Sequence, residues 1–309
     1  MHIFFATDGS TSARFALAHI LALPWPPPVH VTVMTAVNVP QPRFTSLTPV
    51  ARRAYGTALA TLRREAEATA EKAIMEGRRA LEPHVASVAT RIHKGEPGPV
   101  IVETAKACRA DLVAVGCRGL GAIKRFTLGS VSDHVVRHAP CSVLLAKCPP
   151  EGDRLFLLAM DGSVHAQTAL RILTDLDLSP EAWIHVVVVV ESVRTPSSTD
   201  SWDRRREEKA AVPGRPGAEG TVAEELVAEA RQRLGARGVR VTGAVRRGHA
   251  VSEILAAVRE FGPQVVVLGA KGSHSPPESP LGCVASKVIR HASCAALIVR
   301  PCGSQLVPG

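Results

Sequence analysis

Short apolar runs alternate along the chain with longer segments whose apolar residues recur at helical spacing. In the first half, the runs predict strands at Ile3–Ala6, Val29–Val37, Val85–Ile92, Leu112–Val115 and Cys141–Ala146. The segments between them predict helices after the capping residue Ser10 and at 52–81, Pro99–Cys108 and Ser130–His138. Because strands and helices alternate, the pattern predicts an α/β fold with a parallel, doubly wound sheet and right-handed crossovers.

The same plan occurs twice. The segment from Phe4 to Ser10 matches the segment from Leu157 to Ser163, at an offset of 153 residues. Further pairs share this offset: Gly95 and Gly248, Gly116 and Gly269, Gly119 and Gly272, Gly129 and Gly282, and His138-Ala139 and His291-Ala292. The repeat predicts two tandem domains, 1–148 and 153–309, each a five-stranded parallel sheet with helices on both faces.

The two repeats are expected to pack together. The last strand of each, Cys141–Ala146 and Ala295–Arg300, is apolar and would otherwise be an exposed sheet edge. A short linker raises the effective concentration of these edges, which favours an intramolecular pseudo-dimer. Association of whole chains into a homo-oligomer is left open. The second repeat differs at 194–220, where Pro, Ser, Gly and charged residues predict a mobile loop, either solvated filler or a partner segment.

Composition narrows the classes of function. Residues 1–150 hold 18 of the 37 Lys and Arg residues and 10 of the 28 Asp and Glu residues, so they carry +8 of the net +9 and suggest an anionic partner. Aromatics are only 4%, and no DNA-binding signature occurs, so a small phosphorylated ligand fits better than nucleic acid. The apolar run Ile184–Val190 is too short to span a membrane, and Met1–Asp8 lacks a basic leader, which predicts a cytoplasmic protein. The seven cysteines have neither disulfide-framework nor zinc spacing, and no metal site is predicted.

The candidate chemistry lies in a glycine-rich loop. Strand Leu112–Val115 runs into Gly116-Cys117-Arg118-Gly119, and nine residues separate Gly119 from Gly129-Ser130 at a predicted helix start. Glycines permit close backbone approach, and helix N-termini bind phosphate. Ser130 could both cap the helix and donate to a phosphate, while Arg118, Lys124 and Arg125 add positive charge. Tight turns alone would explain the glycines, but the spacing and context favour a phosphate site.

Two further residues near this loop have alternative interpretations. Asp8 ends the first strand and could cap the following helix through an Asx turn, accept from a ribose or adenine, or do both. Cys117 could be a redox-sensitive thiol in a basic loop, although a small residue tolerated at that position is the simpler explanation.

These segments resemble the universal stress protein family, over both repeats. The family's ATP-binding pattern is Gly, two residues, Gly, nine residues, Gly and then Ser or Thr, which Gly116, Gly119, Gly129 and Ser130 match. The resemblance implies a nucleotide-binding alpha hydrolase-like fold and ATP as ligand. It implies that adenosine lies near Ala6, Thr7, Asp8 and Ala36 or Val37. It places the phosphates at Gly116, Arg118, Gly119, Gly129, Ser130, Val131 and Ser132.

The second repeat keeps the glycines but departs from the rest of the pattern. Cys283 stands in place of Ser130, and Pro277 and Glu278 replace Lys124 and Arg125. Prolines 276, 277 and 280 also remove backbone donors. The motif is therefore degenerate, and tighter nucleotide binding is expected in the first repeat.

The sequence favours a non-catalytic, ATP-binding stress or signalling module. A slow ATPase or phosphoryl-transfer enzyme is one alternative, but there is no Walker lysine and no carboxylate pair for two Mg²⁺ ions. Asp8 could help to hold one Mg²⁺, although nothing in the sequence requires a metal. A partner-binding scaffold that needs no nucleotide is the other alternative, and the intact Gly-Ser pattern of the first repeat argues against it.

Overall fold

The computed structural model describes residues 1–39, 49–119, 128–151, 155–191, 218–276 and 278–301, without the side chains of 49–54 and 218–220. In the first repeat the strands are β1 His2–Ala6, β2 His30–Val37, β3 Ser87–Lys94, β4 Leu112–Gly116 and β5 Ser142–Ala146. Its helices are α1 Thr11–Ala22, α2 Pro49–Leu81, α3 Pro97–Ala107 and α4 Ser130–His138.

The second repeat follows the same plan. Its strands are β6 Leu155–Met160, β7 Trp183–Val190, β8 Arg240–Arg247, β9 Val265–Gly269 and β10 Ala295–Val299. Its helices are α5 Val164–Asp175, α6 Ala218–Gly235, α7 Ala250–Phe261 and α8 Cys283–His291.

The strands form one ten-stranded sheet in the order β3-β2-β1-β4-β5-β10-β9-β6-β7-β8. Within each repeat the described pairings are parallel. The repeats meet where β5 and β10 pair antiparallel, a junction called the seam below. The expected joining of the two last strands, and with it a pseudo-dimer within one chain, is confirmed.

Buried side chains cover both faces of this sheet, as a doubly wound fold requires. At the seam, Leu144 pairs with Leu297, and both belong to one buried cluster. Leu145 pairs with Ala296 in the cluster on the opposite face. Each fully buried leucine contributes roughly 2 kcal/mol of hydrophobic stabilisation. The core is therefore continuous across the seam, and the predicted α/β class with helices on both sides is confirmed.

Several predicted boundaries are wrong. Strand β3 runs over Ser87–Lys94 rather than Val85–Ile92, because it must stay in register with β2, whose last residue pairs with Lys94. Helix α3 begins at Pro97 rather than Pro99, since proline lacks the N–H that a first helical turn leaves unpaired. Helix α6 includes Ala218–Gly220, the end of the predicted loop. The rest of that loop, 194–217, lies outside the described residues.

Candidate functional site

A cavity of about 410 Å³ opens at the carboxyl ends of β1, β2 and β4. Eleven residues that the sequence assigned to the nucleotide site line it: Ala6, Thr7, Asp8, Ala36, Gly116, Arg118, Gly119, Gly129, Ser130, Val131 and Ser132. Val37, the alternative to Ala36, is not among the lining residues. The chain leaves β1 for β2 on one side, and β4 pairs with β1 on the other. Such a switch in strand order opens a crevice in which open α/β sheets hold their ligands.

Five lining residues were missed by the sequence analysis. They are Ala13, Met34, Pro97, Ile101 and Val115. Met34, Ile101 and Val115 are buried apolar residues, and their patterns are those of ordinary core residues. One signal in the sequence pointed to Pro97 and Ile101. Gly95, which has Gly248 as its equivalent in the second repeat, marks the connection from β3 to α3 at the carboxyl end of that strand. Together these side chains give one part of the cavity an apolar wall.

The three glycines have different roles. A Cβ on Gly116 would lie 2.5 Å from the carbonyl carbon of Ser12, so this glycine lets β4 pack against the start of α1. Gly116 also lines the cavity, so its role in ligand approach stays a prediction beside this packing role. A Cβ on Gly119 would lie 2.6 Å from Oδ2 of Asp8. Gly129 packs near the Cys117 carbonyl, 3.2 Å from an added Cβ.

The N-terminus of α4 is open toward the cavity. Its N-cap is Gly129, which supplies no side-chain hydrogen bond, and the first helical bond runs from Asp133 N to Gly129 O at 2.8 Å. The N–H groups of the first turn precede that bond and have no acceptor within the helix. Ser130 is the first helical residue and is exposed, so the expectation that it caps α4 is wrong. Because Ser130 is not used as a cap, its hydroxyl is left available at the mouth of the cavity.

Helix α1 begins differently. Its N-cap Ser10 accepts from Ala13 N at 3.3 Å and donates to the Arg118 carbonyl at 3.2 Å. The Ser10 hydroxyl that caps the N-terminus of α1 thus also holds the glycine-rich loop of the first repeat at Arg118. An anion at this end of the sheet would meet the uncapped α4 rather than α1.

Ser132 holds the two ends of the loop together. Its buried hydroxyl lies 2.8 Å from Cys117 O and 3.0 Å from Gly129 O, and Gly129 N donates to Cys117 O at 2.9 Å. The side chain of Cys117 is itself buried, 3.8 Å from the Ser12 hydroxyl. Since the Ser132 proton is engaged by backbone carbonyls, its N–H is the donor that remains for a ligand.

Asp8 and Thr7 are fixed by local bonds. Oδ1 of Asp8 accepts from Ser10 N at 3.0 Å, as in an Asx turn. The Thr7 backbone is held by β2, because Thr7 N donates to Met34 O at 2.9 Å and Thr7 O accepts from Thr35 Oγ1 at 2.8 Å. Arg118 is half-buried at the loop, whereas Lys124 and Arg125 lie outside the described residues.

The second repeat closes its loop with its own side chains. Ser273 N donates to Asp161 Oδ2 at 3.0 Å, and Gly272 N donates to Ser275 Oγ at 3.0 Å. A Cβ on Gly282 would lie 3.0 Å from that same Ser275 hydroxyl. Cys283 occupies the first position of α8, as Ser130 does in α4, and Pro277 lies outside the described residues. Two backbone donors of this loop are thus satisfied without a ligand.

Metal and membrane features are limited. Over the described ranges, no three His, Cys, Asp or Glu side chains come together as metal ligands. In the same part of the chain, no helix combines the length and apolar character needed to cross a membrane. Asp8 is the one carboxylate among the described residues that line the cavity.

Solved structures share this tandem architecture. A universal stress protein from Archaeoglobus fulgidus superposes over 97% of this chain and 98% of its own, at 18% identity and a TM-score of 0.64. A Pseudomonas aeruginosa protein described as a universal stress protein covers 97% and 93%, at 16% identity and a TM-score of 0.55. At these identities the likeness shows the fold.

Sequence comparison adds the family. A Staphylococcus aureus protein described as a universal stress protein is 45% identical over 64 residues, which are 20% of this chain and 39% of that protein. The profile of the universal stress protein family matches residues 1–147 and again 154–300. The fold and these matches define a protein of two tandem α/β repeats. The chain belongs to the universal stress protein family.

Proposed function

We propose that the first repeat binds ATP in the cavity at the ends of β1, β2 and β4, as a non-catalytic module of the stress response. The observation that carries the proposal is that eleven residues assigned to the site from the sequence line one cavity beside the open N-terminus of α4. Its volume of about 410 Å³ lies within the range of small-molecule sites, roughly 300–1,000 Å³.

The two ends of the cavity suit different parts of a nucleotide. Met34, Ile101 and Val115 form an apolar wall that suits a base. Gly119, the start of α4 and Arg118 provide backbone donors and positive charge that suit phosphates. The Asp8 carboxylate, which lines the cavity with Oδ2 beside Gly119, is an acceptor that suits a sugar hydroxyl. Mg²⁺ could accompany the phosphates, with Asp8 the described side chain suited to hold it.

Binding fits this arrangement better than hydrolysis. A phosphoryl-transfer site needs a base or water-positioning residue, and metal ligands that bridge phosphates. The one described carboxylate of the cavity, Asp8, already accepts a backbone N–H through Oδ1. Storage or sensing of nucleotide therefore fits the described residues, because neither activity requires a catalytic base or further metal ligands.

The test is to identify the nucleotide that the protein carries. The purified full-length chain is denatured, and the released small molecules are measured by mass spectrometry. The proposal predicts ATP or another adenine nucleotide at up to one molecule per chain, and rebinding of added ATP to the emptied protein. A chain that carries no nucleotide and gives no heat with ATP, with or without Mg²⁺, would favour the scaffold alternative.

A further inference from the structure

The C-terminal end of α4 is held by the second repeat. Nη2 of Arg300 lies 2.5 Å from Val136 O and 3.2 Å from Arg137 O, both in the last turn of α4. Carbonyls in the last turn of a helix receive no hydrogen bond from an N–H of the same helix. A cation placed there satisfies them and interacts favourably with the helix dipole. Arg300 therefore satisfies one end of α4, while the other end opens on the candidate nucleotide cavity.

The same guanidinium reaches the glycine-rich loop of its own repeat. Nη2 of Arg300 lies 3.2 Å from Pro280 O, two residues before Gly282. The backbone N–H of Arg300 donates to the Ser142 hydroxyl of β5 at 3.2 Å. Arg300 thus joins β5 and α4 of the first repeat to the loop of the second.

A second contact crosses the seam between the same helices. Arg290 of α8 lies 3.5 Å from Asp133 of α4, which also pairs with Arg137 at 2.8 Å. This ion pair is partly solvent-exposed and its atoms are 3.5 Å apart, so its contribution to stability is small. Arg300, in contrast, is mostly buried, and burial lowers the pKa of its guanidinium. A buried cation requires its acceptors, which makes the position of the α4 carbonyls sensitive to Arg300.

The equivalent residue of the first repeat makes the reciprocal contact. Lys147, at the offset of 153 residues from Arg300, donates to the Ala292 carbonyl at the end of α8 at 2.6 Å. Lys147 thus contacts one carbonyl of the opposite repeat, whereas Arg300 contacts two carbonyls of α4 and one of its own loop. The pair supplies a matched control, because each cation supports the helix of the other repeat.

We propose that Arg300 is a positioning residue for the nucleotide site of the first repeat, by which the second repeat fixes α4 and couples its own loop to that site. The proposal rests on the proposed function for its ligand. The second repeat then serves as a built-in support for the first, rather than as a second site of equal strength. A change in the second-repeat loop at Pro280 would reach the first-repeat site through one guanidinium.

The experiment compares the full-length wild type with Arg300→Met, Arg300→Lys and Lys147→Met. Hydrogen exchange of 130–138 and 283–291 is measured without nucleotide, and ATP affinity is measured well below each melting temperature. Arg300→Met is expected to accelerate exchange in 130–138 and to weaken ATP binding by about tenfold, within the range of remote positioning effects. Arg300→Lys is expected to restore most of both. Lys147→Met is expected to act on 283–291 and to leave ATP affinity within about twofold.

Two results would overturn the inference. One is unchanged exchange of 130–138 in Arg300→Met, which would show that the guanidinium does not hold α4. The other is an equal loss of ATP affinity in Arg300→Met and Lys147→Met, which would indicate general weakening of the seam. If the wild type binds no ATP, the proposed function fails, and the exchange data alone then decide whether Arg300 positions α4.

Discussion

A Cβ added to Gly119 would lie 2.6 Å from Oδ2 of Asp8, so the carboxylate sits directly against the second glycine of the motif. The second repeat reproduces this relationship, because a Cβ added to Gly272 would lie 2.7 Å from Oδ2 of Asp161. Because the nearest atom is the end of a side chain, a methyl group displaces the carboxylate rather than the backbone. The pair of glycines therefore offers the same perturbation at a proposed site and at its degenerate copy.

Gly119→Ala is expected to weaken ATP binding by about tenfold or more, since it displaces Asp8 and narrows the approach to the loop backbone. Unfolding free energy should fall by no more than about 1 kcal/mol, the value of the hydrogen bond from Ser10 N that Asp8 accepts. Gly272→Ala is the control and should leave ATP affinity unchanged. Isothermal titration calorimetry and thermal melts measure both quantities, and equal affinities for the two variants would exclude Gly119 from the site.

Ser132→Ala is expected to cost about 1 kcal/mol of folding free energy, because Cys117 O and Gly129 O lose a buried donor. The second repeat already has Ala285 at the equivalent position, so a methyl group is sterically acceptable there. Ser130→Ala, at an exposed position, should instead lower ATP affinity without loss of stability. Denaturant titration with calorimetry separates the two roles, and identical effects of the two substitutions would contradict them.

A fragment of residues 1–150 is expected to form a homodimer through β5. In the whole chain β5 pairs antiparallel with the equivalent strand β10, and removal of the second repeat exposes the apolar edge. Light scattering after size-exclusion chromatography measures the mass. A stable monomer would show that the edge does not need a partner.

Acidification is expected to destabilise the chain. Burial lowers the pKa of His19 below the usual 6.5, because the ring is fully buried and the charged form would lose its hydration. The unfolded state then binds more protons, so stability is full above about pH 6.5 and decreases as the pH falls through the lowered pKa. Burial also lowers the pKa values of His165 and His185, in the same direction.

The variant His19→Ile isolates one part of this effect, since Ile172 stands at the equivalent position of the second repeat. The substitution should reduce the dependence of the melting temperature on pH between 7 and 5. It also removes the 3.1 Å contact of the His19 ring with Cys148 O. An unchanged slope would show that His19 binds the same number of protons in the folded and the unfolded state, so that burial does not lower its pKa.

Much of the fold could be predicted because its signals are local. Alternating apolar runs and helical spacing located the elements, and the 153-residue offset gave the two repeats. The motif glycines were found, but the packing role of Gly116 was not, because its close neighbour is the backbone of α1, more than a hundred residues earlier. Met34 and Ile101 also line the cavity, but in the sequence they cannot be distinguished from other buried apolar residues of a strand or helix. The contacts of Ser275 and Arg300 depend on three-dimensional register, which spacing alone does not specify.

The number and strength of ATP sites in the full-length chain test the account most directly. Two backbone donors of the second-repeat loop are engaged by Asp161 and Ser275, and Glu278 replaces a cation there. A lost charge-assisted hydrogen bond is worth roughly 1.5–3 kcal/mol, which is about tenfold or more in affinity. Titration calorimetry at fixed salt and Mg²⁺ should therefore give one tight site per chain, weakened about tenfold or more by Gly119→Ala and unchanged in Gly272→Ala. Two sites of equal affinity, or a tight site that survives Gly119→Ala and is lost in Gly272→Ala, would contradict the assignment of nucleotide binding to the first repeat.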